Sequence, residues 1–237
     1  APLQDLGLNL LGPGESVTLD TEEEQLLLLG LPEPSKTWLL AGQNGMSAEE
    51  SNARVKVALR KILLGMGAVR AEHPEIPAVL IYHGPVEGAT LANGQLLEGG
   101  IALGREDLAL VGADYYAMGH VHLAQEIRGL PAYYAGSAFP VDWGETDQKG
   151  CYLVEIEKGD RTTDRRYARI PFPHAPRKKI VLTYPGPVNS NEYHGFQTWM
   201  VIRATKEQAA QITFPTSESD LIETGALPGS RVTVEII

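Results

Sequence analysis

The chain has 237 residues, 43% of them apolar and 21% charged, with a formal net charge of −10. A chain of this length hides roughly 70–75% of its unfolded surface, so one large domain or a domain with a small appendage is expected. The acidic balance excludes a protein coated for non-specific nucleic-acid binding, and no apolar run approaches the about 18 residues needed to cross a bilayer, so no membrane partner is expected.

An enzyme acting on nucleic acid stays open, because bound cations can supply positive charge in acidic surroundings. The start, Ala1-Pro2-Leu3-Gln4-Asp5, has no basic segment followed by an apolar stretch, so no signal peptide is expected. Cys151 is the single cysteine, which rules out a disulfide within the chain and points to a reducing, cytoplasmic setting. Its apolar neighbours make it an inert strand residue.

In chain order, residues 17–19 and 26–29 read as strands around the acidic run Glu22-Glu23-Glu24, a solvated turn. Residues 37–41 read as a short strand, and Asn44 as a loop residue. Ser47-Ala48-Glu49-Glu50 is a capping box opening a helix, in which Val55, Ala58, Leu59, Ile62, Leu63 and Met66 recur at helical spacing. Gly65 and Gly67 are expected to stop it. The continuous apolar run 78–82 reads as a buried strand ending at His83-Gly84-Pro85. Asn93-Gly94 marks a tight turn. Residues 105–111 form a short helix, and 114–118 a second buried strand ending at Gly119-His120. Segments 123–128, 132–136 and 150–157 are expected as successive antiparallel strands. The stiff Pro171-Phe172-Pro173-His174-Ala175-Pro176 marks a boundary. Beyond it come strands near 179–183, 198–203 and 231–236, with helices at 205–211 and 217–224. The expected class is therefore α/β (α+β), divided into 1–170 and 171–237.

The chemistry gathers at two strand ends. One strand delivers His83 and the other His120, then His122. Ligand sites in open α/β sheets lie at the carboxyl ends of strands. Residues i and i+2 of an extended segment share a face, so His120 and His122 are expected to converge. Gly119 removes a side chain that would crowd a metal. A lone strand-end histidine is as consistent with a hydrogen-bonded rim residue, and a bare His-x-His with a structural pair; the three together favour ligation. His73, His174 and His194 stand in polar or Pro/Gly-rich surroundings and read as surface residues. The basic clusters Arg161, Arg165, Arg166, Arg169 and Arg177, Lys178, Lys179 fit either a solvated strand edge or a surface that tracks phosphates.

The run Val79-Leu80-Ile81-Tyr82-His83-Gly84-Pro85-Val86-Glu87-Gly88 is followed by Ala113-Asp114-Tyr115-Tyr116-Ala117-Met118-Gly119-His120-Val121-His122. This order resembles the calcineurin-like metallophosphoesterases, and more narrowly the SbcD-type nuclease subunit of the SbcC–SbcD DNA-repair complex. Tyr134-Ala135-Gly136-Ser137, Trp143-Gly144-Glu145 and Lys149-Gly150 look like the segment that follows Gly-His-x-His in that group.

The resemblance implies the C-terminal part of a metallophosphoesterase β-sandwich flanked by helices over 1–170, and a small α+β capping domain over 171–237. It implies a DNA exonuclease or endonuclease subunit acting by two-metal phosphodiester hydrolysis in double-strand-break repair. His83, His120 and His122 would ligate metal, with manganese as the expected ion; Ser137 and Trp143 could touch DNA. The implied partners are DNA, an SbcC-type ATPase and a second copy of the complete protein.

The group's Asp-x-His, Gly-Asp-x-x-Asp and Gly-Asn-His motifs are not in this sequence. The expectation is a metallophosphoesterase domain lacking its N-terminal third, with its catalytic residues upstream and little or no activity alone. The alternatives are another calcineurin-like phosphodiesterase and a non-catalytic module that docks a partner ATPase.

Overall fold

The structure, a computed structural model, describes residues 11–20, 24–35, 47–91, 94–97, 101–158 and 163–237. The strand expected at 37–41, together with Asn44, Asn93 and Arg161, lies outside the described residues. The architecture is mixed α/β, as the residue patterns imply. Contacts group the chain into two compact units. The first is Ala1–Ser137 with Gly150–Ile170; the second is Ala138–Lys149 with Pro171–Ile237.

The first unit is built on a six-stranded sheet in the order β1-β2-β3-β4-β6-β5. Its members are β1 (Ser16–Asp20), β2 (Gln25–Leu31), β3 (Ala78–His83), β4 (Tyr115–Gly119), β5 (Gln125–Ile127) and β6 (Ala132–Tyr134). Strands β2, β3, β4 and β6 run parallel, while β1 and β5 are antiparallel edges. Alternation along the strands sorts the side chains. Leu27, Leu29, Leu31, Leu80, Tyr82, Tyr116, Met118 and Tyr134 are buried in one core with Val55, Leu59, Leu63 and Met66 of helix α1 (Ala48–Glu72) and Leu108 of the short helix α2 (Arg105–Ala109). Each such side chain removed from water contributes about 1.5–3 kcal/mol. Asp114, just before β4, accepts from the Ala78 amide at 2.9 Å and from Arg70 of α1 at 3.2 Å. It thereby ties the starts of β3 and β4 to the end of the helix.

The other face of the sheet carries a tyrosine layer. Tyr133 lies 5.1 Å from Tyr152 of β7 (Gly150–Lys158) and 4.7 Å from Tyr167 of β8 (Thr163–Pro171), ring centre to ring centre. Strands β7 and β8 pair in a separate two-stranded sheet. The expected run of three antiparallel strands is therefore corrected. β5 and β6 form an antiparallel pair, β6 also joins β4 in parallel, and β7 leaves the sheet. Short alternating segments carry no information about which strand they pair with.

Helix α1 also runs further than expected. Its capping box forms: the Ser47 hydroxyl accepts from the Glu50 amide at 3.1 Å, and Glu50 accepts from the Ser47 amide at 2.9 Å. Gly65 and Gly67 do not end it; it continues to Glu72. Gly67 serves a close approach, because a Cβ there would lie 2.3 Å from the Leu110 carbonyl oxygen, whereas a Cβ at Gly65 meets nothing within 4 Å. The two glycines should therefore respond to alanine with opposite signs. Gly65→Ala is expected to stabilise by about 0.5–1 kcal/mol through helix propensity. Gly67→Ala should cost about 1–3 kcal/mol from overpacking. Urea denaturation of both variants checks this, and equal signs would refute it.

The second unit holds the parallel sheet β11-β10-β9, made of β9 (Arg177–Thr183), β10 (Gln197–Ala204) and β11 (Arg231–Ile236). Ile180, Met200 and Ile202 share a core with Leu221 of helix α4 (Glu218–Glu223), which follows the one-turn helix α3 (Lys206–Ala209). Segment 138–149 groups with this unit through the Arg177 guanidinium, which donates to the Pro140 carbonyl at 2.9 Å, and through the Lys149 amide, which donates to His174 Nε2 at 3.3 Å. His174 is thus half-buried and bonded, not a simple surface residue, whereas His194 is exposed. Among the described residues no helix is long and apolar enough to cross a membrane.

Candidate metal centre

Register places the candidate site. Leu31 of β2 aligns with Tyr82 of β3, and His83 of β3 aligns with Gly119 of β4. The carboxyl ends of three adjacent parallel strands therefore stand side by side. His83 is the last residue of β3, His120 follows β4 directly, and Glu33 lies two residues past β2. One ligand atom from each lies within 4.8 Å of the other two, and all three residues are exposed. The nearest Glu33 oxygen is 3.7 Å from His120 Nδ1. The rings of His83 and His120 meet edge-on, with centres 5.7 Å apart.

The local backbone is arranged around these rings. A Cβ on Gly119 would lie 2.7 Å from His83 Nδ1, so the glycine makes room for that imidazole. His120 has φ 95°, the one non-glycine residue with positive φ among those described. Such a conformation costs on the order of 1–3 kcal/mol and persists only where the surroundings fix it. The turn after β3 is fixed by the Gly84 amide, which donates to the Gly119 carbonyl at 3.2 Å. The Tyr134 hydroxyl donates to the Gly84 carbonyl at 2.7 Å, and the Tyr82 hydroxyl to the Pro85 carbonyl at 3.2 Å. Burial pushes the pKa of both phenols well above the ordinary tyrosine value, with a smaller contribution at Tyr82 from Tyr134 and then Glu33. Both hydroxyls therefore stay neutral donors at physiological pH.

His122 lies on the loop that follows His120. The segment 120–122 lies beyond β4 and turns at the positive φ of His120, so the extended-chain argument for shared facing does not apply. His122 is exposed, and its carbonyl accepts from the Ser137 amide at 3.1 Å. Gly136, with φ 79°, brings the segment after β6 within reach: a Cβ there would lie 2.7 Å from the His122 oxygen. The segment 134–137 thus holds the backbone of the histidine loop, and half-buried Ser137 is part of that brace.

Glu33 was invisible to a search for histidines at strand ends. Its place between Pro32 and Pro34 just past a third apolar strand is local, but its standing at the same sheet edge as His83 comes only from the register of β2 against β3. Of the acidic run read as a turn, Glu22 and Glu23 lie outside the described residues and Glu24 is exposed. Two imidazoles and a carboxylate suit zinc, iron, cobalt or manganese, so the residues present fit a divalent transition metal.

Basic residues divide by environment. In the first unit Arg165 donates to the Asp114 carbonyl, and Arg169 donates to the Ala135 carbonyl at 2.8 Å while lying 4.9 Å from the Tyr152 ring centre. Those two are turned inward. In the second unit Trp143 and Trp199 sit with ring centres 6.4 Å apart among cations. Lys179 is 3.9 Å and Arg231 4.0 Å from the Trp199 ring centre, and Arg177 is 5.1 Å from that of Trp143. Trp199 and Arg231 are additions to Trp143, made adjacent by the register Trp199↔Lys179 and Trp199↔Arg231.

No protein-family model matches the chain. One stretch is similar to the DNA double-strand break repair protein Mre11 of Methanopyrus kandleri, with 41% identity over 58 residues. The match covers 20% of this chain and 13% of the length of that relative.

Proposed function

We propose that this protein contributes metal ligands to a nuclease that hydrolyses phosphodiester bonds of DNA in double-strand break repair, in the manner of an SbcD- or Mre11-type subunit. The observation that carries this reading is the meeting of His83 and His120 at the carboxyl ends of adjacent parallel strands, beside Glu33. The stretch similar to an Mre11 protein supports the choice of DNA over other phosphodiesters.

In this reading His83 and His120 hold one ion, and His122 serves a second. Divalent ions bound here would polarise the phosphoryl oxygen and make water a stronger nucleophile near neutral pH. The protein's own residues do the positioning. Tyr134 and Tyr82 fix the turn that carries His83, and Ser137 fixes the loop that carries His122. Four side chains are too few to hold two ions, so the full site requires carboxylate ligands beyond the described set, and chain 1–237 alone should be inert towards DNA. Manganese is the expected ion of the complete site.

Trp143, with Arg177 and Arg231, would meet the DNA backbone, and 171–237 would act as the capping domain. A cytoplasmic SbcC-type ATPase and a second copy of the protein would complete the assembly. The deciding experiment compares labelled linear duplex DNA with a chromogenic phosphodiester, using the natural full-length protein and manganese. Cleavage of the duplex supports the reading; hydrolysis of the small diester alone would transfer it to a different phosphodiesterase.

A further inference from the structure

We propose that Glu33, His83 and His120 form a self-contained site for one divalent transition-metal ion, with Glu33 as its third protein ligand. The inference rests on the metal-ligating reading of the two histidines and adds a carboxylate to it.

The first argument is topological. Three neighbouring parallel strands each present one donor residue just past or at their carboxyl ends, and register brings those ends level. Glu33 is set between Pro32 and Pro34, and Pro34 is buried. Each proline fixes its own φ and restricts the residue before it, so the chain that carries Glu33 has few alternatives. The carboxylate is therefore presented towards the histidines by a stiff segment.

The second argument is distance. The 3.7 Å between Glu33 Oε1 and His120 Nδ1 is too long for an N–H···O hydrogen bond, which spans about 2.7–3.2 Å. It is close to the separation of roughly 3.4 Å between two donors that share a tetrahedral ion at bond lengths of about 2.0–2.2 Å. The His83 ring stands at 87° to that of His120, and one ligand nitrogen of each lies within 4.8 Å of the other. All three side chains are exposed, which leaves the small closure of the ligand set unhindered and leaves a coordination position open.

The donor set makes a specific demand. Two imidazoles with one carboxylate lack the oxygen-rich environment that would offset the general order of affinities, in which zinc stands well above manganese. The trio alone should therefore take zinc or cobalt more tightly than manganese, whichever ion a fuller site would use.

The test measures binding of zinc and cobalt(II) to the protein by competition with a chromophoric chelator, with the visible spectrum of cobalt as a second readout. One ion per chain is expected. Glu33→Gln should weaken zinc binding at least about 10-fold and shift the cobalt bands, while Glu33→Asp restores part of the affinity. His194→Ala, at an exposed histidine of the second unit, should leave both unchanged, and circular dichroism should show every variant folded. Glu33→Gln binding within twofold of the parent, while His120→Ala loses binding, would overturn the role of Glu33 alone. Binding indifferent to His120→Ala as well would remove the metal reading on which the proposal stands.

Discussion

His120→Ala in the natural full-length protein is expected to lower DNA hydrolysis by more than about 100-fold, a loss at or above that seen when a mere outer-shell partner of a metal is removed. The fold should survive, because the His120 side chain is about a third exposed and belongs to neither core. A second substitution separates function from stability. His120 holds φ 95° against the preference of any residue with a Cβ. His120→Gly relieves that strain and should raise stability by about 1 kcal/mol while removing the imidazole as completely as alanine does. A residue kept for the fold would not behave so: its replacement by glycine would not stabilise. Thermal unfolding and a nuclease assay on the same two variants provide the check. Retained activity in either, or a destabilised glycine variant, would sink the assignment.

Much of this site was legible as sequence because its signals are local. The apolar runs before His83 and Gly119 specify buried strands, and a buried parallel strand points its carboxyl end at the functional edge. The capping box at Ser47 fixes where α1 begins for the same local reason. Glu33 was not legible, since its significance comes from the register of β2 against β3, a pairing between segments about 50 residues apart. The length of α1 was hidden likewise. Gly67 looks like a helix stop until Leu110 is placed beside it, when it becomes the residue that lets two backbones approach. Strand partners of the short segments 125–127 and 132–134 depend on their neighbours in space, and alternation alone could not assign them.

Segment 138–149 shows the same dependence and gives the second large expectation. Lys149 is fully buried, with its ammonium 2.8 Å from Glu145 and 3.0 Å from Asp147; Glu145 is 3% exposed. Glu145 also accepts from the Val141 amide at 3.2 Å, so the charged cluster closes the loop on which Trp143 is carried. Lys149→Ala leaves two carboxylates in a site built around a cation. Breaking one side of a buried ion pair costs about 3–5 kcal/mol, mostly through the charge left behind. Lys149→Met should cost nearly as much, because it restores volume without charge. Lys149→Met combined with Glu145→Leu should recover a large part, since an apolar replacement of both partners can approach neutrality. Urea unfolding followed by tryptophan fluorescence measures all three, and a loss below about 1 kcal/mol for Lys149→Ala would refute the clamp. The consequence for function lies with Trp143. If the clamp sets that ring between Arg177 and Arg231, Lys149→Ala weakens DNA binding but leaves zinc affinity at Glu33, His83 and His120 intact, because the trio draws only on residues of the first unit.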